Sequence, residues 1–377
     1  MKPISEKISA IPDMNFVDYN VADVQEQLYT VYEQVTGKTL FPGNPERLFV
    51  DTLATALCQT RFDLDYGIKQ GTLKYARGDA LDHLGALVGC IRLPARSAKT
   101  RMEIVRSGDF GAQQIHGVGL RFRVEDDMIF ETDTPLVFDA GESTAQVDAV
   151  AVHPGQVCNG LLPGQINMLV DQVPDIVSVV NINVSRGGAD LEADEPFRER
   201  IALAPYGFST TAPPQAAAYH ARSVSQNIVD VAVSHPGPGR RNVYLLMAGG
   251  EMPSDEVLSD VSAVLNGDDK RPGTLETTVL PPVTRPFDVG LSWWIRSGQS
   301  FRREDVFKAV DEKVDNWIRR LGSRLGQAIV PGELLADLHS LDGVARVEIL
   351  HPGYQPTAVH ELPAASTVEL VFKGVAQ

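Results

Sequence analysis

The sequence predicts an α+β multidomain protein: an N-terminal helical segment, a central small β-rich domain and C-terminal α+β modules. Three observations carry this. Apolar residues recur at three-four spacing up to about residue 94, the pattern then turns to period two with frequent Gly, and after residue 187 the two periods alternate. At 377 residues the chain is also too long for one ordinary core. The segments expected are an arm over 1–43, a helical hairpin or bundle domain over 44–94, a β-rich domain over 95–186, and α+β domains over 187–285 and 286–377.

The arm holds a helix over Val21–Val35, with Val24, Leu28, Val31 and Val35 on one face and Gly37 as its stop. Asn44-Pro45-Glu46 reads as a helix start, with Asn as N-cap, Pro at the first position and an acid near the positive end. Phe49, Leu53, Ala56 with Leu57, and Thr60 mark one face of that helix, which runs to about Tyr75. A second helix begins at Asp79, turns Leu81, Leu84 and Val88 inward and stops at Gly89.

Short strands are expected at Arg101–Arg106, Leu120–Val124, Met128–Thr132, Ala145–Val152 and Ile166–Leu169, a spacing that suggests a small sandwich or barrel. The run Val173–Val184 carries the chain back out. Pro213-Pro214 opens a helix to about Ser223, Ile228–Ser234 and Asn242–Ala248 read as paired strands, and Ser254 caps a helix carrying Val257, Val261 and Val264. Strands follow at Thr274–Leu280 and Phe287–Ile295. Arg302–Leu321 is the clearest amphipathic helix, with Val306, Val310, Val314, Trp317 and Leu321 on one face and arginines near its ends. Pro331–Leu341, Val344–Leu350 and Thr367–Phe372 complete the chain.

Bulk composition excludes several functional classes. Acids outnumber bases 49 to 34, giving a formal charge of −15, and no Lys/Arg run exceeds two, which argues against a grip on a phosphate backbone. No apolar run approaches the ~18 residues of a membrane-spanning helix, and Met1-Lys2-Pro3-Ile4-Ser5-Glu6 lacks the apolar core of a secretory signal. Cys58, Cys90 and Cys158 are scattered and odd in number, so neither a disulfide framework nor a zinc cluster is indicated. Reduced, buried thiols fit synthesis in a reducing cytoplasm.

Two stretches outweigh the rest. Ala76-Arg77-Gly78-Asp79-Ala80-Leu81-Asp82-His83-Leu84-Gly85, continued by Gly89 and Arg92, is one; Gly187-Gly188-Ala189-Asp190-Leu191-Glu192-Ala193-Asp194-Glu195-Pro196-Phe197-Arg198-Glu199-Arg200 is the other. Between them stand Asn159-Gly160 with Gly164, then Ser178, Val179 and Asn181, and Arg271-Pro272 follows. This ordered set resembles the baseplate J-like family of contractile phage tails and related injection machines. The resemblance spans about residues 45–300.

The resemblance implies a baseplate wedge subunit of the tail or tail-like particle, made in the bacterial cytoplasm. Six wedges form a ring around the hub and spike, beneath the sheath, and ring rearrangement is coupled to sheath contraction. Two copies pair within a wedge and are joined by a smaller partner through a helical bundle. Neither catalytic residue nor cofactor comes with it, so none is assigned.

The motifs allow two readings each. Gly85 and Gly89, beside Leu84 and Val88, leave a groove that another chain's helix or this chain's own could fill. Asp190, Glu192 and Asp194 alternate as in a calcium loop, yet Glu195 stands where that loop needs Gly and a Pro follows, and Asp194 as N-cap with Glu195 and Pro196 in the first turn explains the acids more simply. Arg198 and Arg200 then pair with acids locally or across an interface. Trp293 and Trp294 point to opposite faces of a strand, one toward the core and one available as an interface anchor. Interface candidates are therefore Leu81, Leu84, Gly85, Val88, Gly89, Trp293, Trp294, Arg198 and Arg200. His153-Pro154-Gly155, His235-Pro236-Gly237 and His351-Pro352-Gly353 read as turns after strands, or as a histidine cluster.

Neither HExxH nor GxSxG nor a phosphate-binding GxxxxGK[ST] occurs. A pair of carboxylates meeting in space would suit sugar hydrolysis, so the alternative is a tail-associated glycan hydrolase or carbohydrate-binding component. A cytoplasmic α+β scaffold is the third reading. Hinges are expected near 94–100, where the composition shifts, and 184–190, where glycines cluster.

Overall fold

The computed structural model describes residues 4–108, 111–124, 128–171, 173–209, 211, 213–267, 275–298 and 303–376. Arg271, Pro272, Thr274 and Arg302 of the sequence reading lie outside them. The chain forms two compact units: Met1–Arg92 with Ala193–Ala204, and Leu93–Glu192 with Pro205–Gln377.

The first unit is helical. It contains α1 (Ile4–Ser9), α2 (Val21–Thr36), α3 (Pro45–Lys69), α4 (Gly78–Leu87) and the start of α5 (Asp194–Gly207). The Asn20 side chain accepts the Ala22 N–H at the head of α2, and Gly37 ends it with φ +69°. At α3, Pro45 takes the first position, but Asn44 makes no side-chain capping bond. The helix ends at Lys69, short of Tyr75, because the backbone tightens there through Gly71 N–H to Ile68 O and Thr72 N–H to Lys69 O. Gly89, at φ +66°, sits just past α4 in the left-handed region that terminates helices.

α3 packs on α2 through small residues: Ala54 and Cys58 meet Val24, with Leu28 alongside. The larger apolar side chains of α3, among them Phe49, Leu53 and Leu64, are exposed on other faces. An extended stretch before α2 is held by polar contacts to the end of α3. Asp65 accepts the N–H groups of Phe16 (2.6 Å) and Val17 (3.2 Å) and pairs with Lys69 at 2.7 Å.

The second unit opens with the β-rich part. Its strands are β1 (Lys99–Arg106), β2 (Gln114–His116), β3 (Arg121–Arg123), β4 (Ile129–Thr132), β5 (Leu136–Phe138), β6 (Thr144–Ala151), β7 (Met168–Leu169) and β8 (Ile176–Asn181). Six form one sheet in the order β7-β3-β4-β6-β1-β8, and β2 pairs with β5 separately. The segment leading into end strand β7 meets the other end strand, β8, through Gly164 N–H to Asn181 O and Asn181 N–H to Ile166 O, so the sheet curls into a nearly closed barrel. Alternation along β1 and β6 turns Met102, Ile104, Val147 and Ala149 inward onto Phe122, Phe130 and Phe138.

Next come α6 (Pro214–Val224), β9 (Ile228–Gly237), β10 (Arg240–Met247), α7 (Asp255–Leu265) and β11 (Glu276–Leu280). Ser254 caps α7 by accepting the Val257 N–H. β9 and β10 pair antiparallel, and β11 returns through α7 to lie parallel to β10. The last module holds β12 (Val283–Ile295), α8 (Arg303–Leu321), α9 (Pro331–His339), β13 (Val344–His351) and β14 (Glu361–Val375). Its sheet runs β13-β12-β14, with β14 parallel to β12. Val306, Val310, Val314, Trp317 and Leu321 of α8 are buried in its core, as their spacing predicts.

Two strands are longer than expected for one reason. β12 begins before Pro286 and β14 includes Pro363, and these residues face each other's neighbours where a missing N–H costs little. β14 is an edge strand, and β13 joins β12 only from Gly290 onward.

Candidate functional site

The two outstanding sequence stretches meet in the first unit. The loop after α3 and helix α4 carry the earlier stretch; α5 carries the later one. Phe197 of α5 is fully buried against Gly85 of α4. A Cβ on Gly85 would lie 2.6 Å from the Phe197 ring and 2.6 Å from the Cys90 carbonyl oxygen. The glycine is therefore required by its own chain's ring and backbone.

Three arginines close the arrangement. Arg92 donates to Asp82 (2.8 Å) and to Asp194 (2.8 Å), with its guanidinium 4.7 Å from the centre of the Phe197 ring. Arg198 donates to the backbone carbonyls of Leu73 (2.7 Å) and Ala76 (2.6 Å) and pairs with Glu195. Arg200 donates to the Ile91 carbonyl at 2.6 Å. The planar, multidentate guanidinium suits this task, since Arg198 and Arg200 satisfy carbonyls of residues 73, 76 and 91, which lie in the loops outside α3 and α4. We call this arrangement the clasp.

Its electrostatics are self-consistent. Burial opposes charge on Asp194, but the Gly78 N–H and the Arg92 guanidinium outweigh it and hold the carboxyl below its usual range. Burial likewise opposes charge on Arg92, and Asp82 and Asp194 outweigh it, raising its pKa.

Asp194 departs from expectation. α5 starts at Asp194, so this residue is inside the first turn, and its carboxylate takes the Gly78 N–H (3.2 Å) and Arg92 rather than capping its own helix. The alternating acids are neither a calcium loop nor local caps. In the second unit, Asp190 accepts the Gln156 N–H at 3.0 Å and Glu192 the Leu93 N–H at 2.9 Å. Each carboxylate thus reaches a separate piece of backbone. Among the described residues no group of His, Cys, Asp and Glu is arranged to hold a metal ion.

The remaining motif residues form a second lock, inside the second unit. Asn159 grips Gly188 twice, donating to its carbonyl and accepting its N–H, both at 2.8 Å. A Cβ on Gly188 would fall 2.3 Å from the Gly155 carbonyl oxygen. Asn181 accepts the Ile166 N–H and donates to the Leu162 and Asn183 carbonyls. The stretches 94–100 and 184–190, expected as hinges, are laced antiparallel to each other by Arg96–Ala189 and Lys99–Arg186 backbone bonds.

The interface candidates divide accordingly. Leu81, Gly85, Arg198, Arg200 and Trp293 are buried among residues of their own chain. Leu84, Val88 and Trp294 are half-buried, and Gly89 is exposed. Trp293 stacks edge-on with Phe307 in the last core, while Trp294, on the other face, carries the Arg346 guanidinium at 4.9 Å. The three His-Pro-Gly turns stand at the ends of β6, β9 and β13, in three different sheets or modules.

A surface that the candidates omitted stands out. On α3, Phe49 is 71% exposed, Leu64 55%, Leu53 43%, Ile68 40% and Leu57 38%. These positions form one stripe along the helix. Its spacing was readable in the sequence, but its direction was not, because periodicity alone does not say which of two faces a neighbour covers. Leu87 and Ile91, 81% and 78% exposed, add apolar surface around the end of α4.

Comparison with known proteins gives the context for these features. Residues 111–188 match the model of the baseplate J-like protein barrel domain, and residues 210–281 that of the baseplate J-like central domain. Baseplate protein J of Escherichia phage P2 is 29% identical over 165 residues, which cover 44% of this chain and 53% of that protein. The chain thus matches about half the length of this relative. A cryo-EM structure of the anti-feeding prophage baseplate, 6-fold symmetrised, aligns with 96% of both chains at 13% identity and a TM-score of 0.45. Residues 111–188 and 210–281 are thus similar, in this order, to the barrel and central domains of baseplate J-like proteins, and the P2 protein shares part of this chain's sequence.

Proposed function

We propose that this chain is a structural subunit of the baseplate of a contractile phage tail or related injection machine, acting by binding rather than by chemistry. The similarity to Baseplate protein J of phage P2, together with the matches to the family's barrel and central domain models, is the observation that carries this reading. In it, six wedges ring the hub, two copies of the chain pair within a wedge, and a smaller partner joins them through a helical bundle. The ring's rearrangement is coupled to contraction of the sheath.

The geometry supports such a role. Motif residues that could have suggested a reaction centre are engaged in holding backbone, and α3 turns a stripe of large apolar side chains to solvent. Exposed contiguous apolar surface of this kind marks a protein-binding face. Leu84, Val88, Gly89 and Trp294 are proposed as contact residues. Leu81, Gly85, Trp293, Arg198 and Arg200 serve by fixing the shape of the elements that present them.

Co-expression of the tagged full chain with the neighbouring tail proteins tests the proposal. The expected result is co-purification with a small helical partner and incorporation into tail particles. A chain that stays monomeric beside every tail component would sink it, as would turnover of a cell-wall glycan abolished by changing one carboxylate.

A further inference from the structure

The segment between α1 and α2 is held in place without an apolar core. Among the described residues none before Val24 is buried, and Ile11, Met14 and Phe16 are exposed. Apolar burial therefore does little to fix residues 11–17. Polar contacts do so, in two groups that differ in their access to solvent.

The outer group gathers at Asp13 and Met14. Lys74 pairs with Asp13 at 2.7 Å and donates to the Ile11 carbonyl. Tyr75 donates its hydroxyl to Asp13 at 3.0 Å and accepts the Met14 N–H at 3.0 Å. Lys74, then Tyr75, hold the Asp13 carboxyl below its usual range. Its side chain is 86% exposed, so dissolved ions reach the pair freely, and such pairs fade with salt.

The inner group is the Asp65 carboxylate, which accepts the Phe16 and Val17 N–H groups and pairs with Lys69. Here the side chain is only 3% exposed. Charge-assisted bonds to a buried carboxylate are stronger and far less screened. Asn15 stands between the two groups and takes a hydrogen bond from Lys69 at 2.9 Å.

Beside the outer group lies a polar cavity. Ser9 and Asp13 form one wall, Glu195, Arg198 and Glu199 of α5 the other, and Lys74 stands with them. Arg198 is the clasp residue that binds the Leu73 and Ala76 carbonyls, which bracket Lys74 and Tyr75 in the chain. One short loop is thus gripped by the clasp through its backbone and by the segment 11–14 through its side chains.

We infer that residues 8–14 form a flap pinned at Asp65, which closes the cavity beside Arg198 through the Asp13–Lys74–Tyr75 contacts and swings open on residues 15–17 as ionic strength rises. The buried pin keeps the open flap tethered to the end of α3, and opening admits water to the clasp. The device is independent of the baseplate reading.

Amide hydrogen exchange of the full chain, followed residue by residue, tests the flap. Raising salt from about 50 mM to about 500 mM shortens the screening length about threefold. The Met14 N–H should then exchange about five times faster, while the Phe16 and Val17 N–H groups keep their protection and α3 is unchanged. Asp13→Asn should reproduce this pattern at low salt, and the exposure of that side chain leaves the fold intact. Asp65→Asn should free Phe16 and Val17 as well, by about tenfold, with circular dichroism to check folding. A Met14 N–H indifferent to both salt and Asp13→Asn would overturn the flap. So would Phe16 and Val17 losing protection in step with Met14 at high salt, since the segment would then have no pin.

Discussion

The clasp and the outer face of α3 belong to the same helical unit and use their residues in opposite ways. In the clasp, charged side chains point inward: Arg198 and Arg200 are 5% and 3% exposed and bind backbone carbonyls. On α3, large apolar side chains point outward. In the proposed reading the difference separates what makes the unit fold from what makes it bind. The residues with the most distinctive sequence pattern maintain shape, and the residues with the plainest pattern present the surface.

Substitutions that affect one region and spare the other sharpen this contrast. Arg198→Ala has the largest expected effect. It leaves the Leu73 and Ala76 carbonyls buried without their donor, at a cost of about 3–5 kcal/mol, read as a lower midpoint in urea denaturation. Gly85→Ala comes next, because the new methyl meets the Phe197 ring and the Cys90 carbonyl at 2.6 Å. Overpacking of this kind costs about 1–3 kcal/mol, and a Phe197→Leu change in the same chain should recover part of it. Full additivity of the two would break the claim that α4 and α5 are packed through this contact.

Asp194→Asn should cost about 1–2 kcal/mol at neutral pH, a value moderated by the carboxylate's 32% side-chain exposure. Its pH dependence has a definite sign. The folded-state pKa is depressed, so the stabilisation is full above the unfolded value of about 3.9 and is lost as pH falls through the lower folded value. The wild-type advantage over Asp194→Asn should therefore shrink below about pH 4. An advantage that grew in acid would contradict the Arg92–Asp194 account. The smallest change in stability is expected on the stripe: Leu53→Ser should shift folding by no more than about 0.5 kcal/mol, as for exposed positions in general.

The sequence revealed local structure well and long-range contact poorly, for a physical reason. Gly37, Gly89 and Ser254 mark helix ends through bonds to residues within four positions, so their signals are legible in place. The barrel strands β2 and β5 were missed because three residues are too few to display a period of two. The helix expected from Asn44 to Tyr75 ended early because turn-forming bonds over residues 68–76 replace helical ones.

The clasp was invisible from sequence despite its conspicuous motifs. Arg198 reaches carbonyls more than 120 positions away, and a backbone carbonyl has no residue type to betray it. The acids of Asp190, Glu192 and Asp194 misled in the same manner, since each serves a remote N–H rather than a shared ion. The α3 stripe failed in the opposite sense: its residues were seen, but nothing local told which face Val24 and Leu28 would cover.

The most direct test of the central claim compares Leu53→Ser with Leu64→Ser combined in one chain against wild type, by thermal melting and by incorporation into tail particles. The account predicts an essentially native melt together with loss of incorporation. A double variant that melts natively and still assembles at the wild-type level would show that the outer face of α3 is not the binding surface.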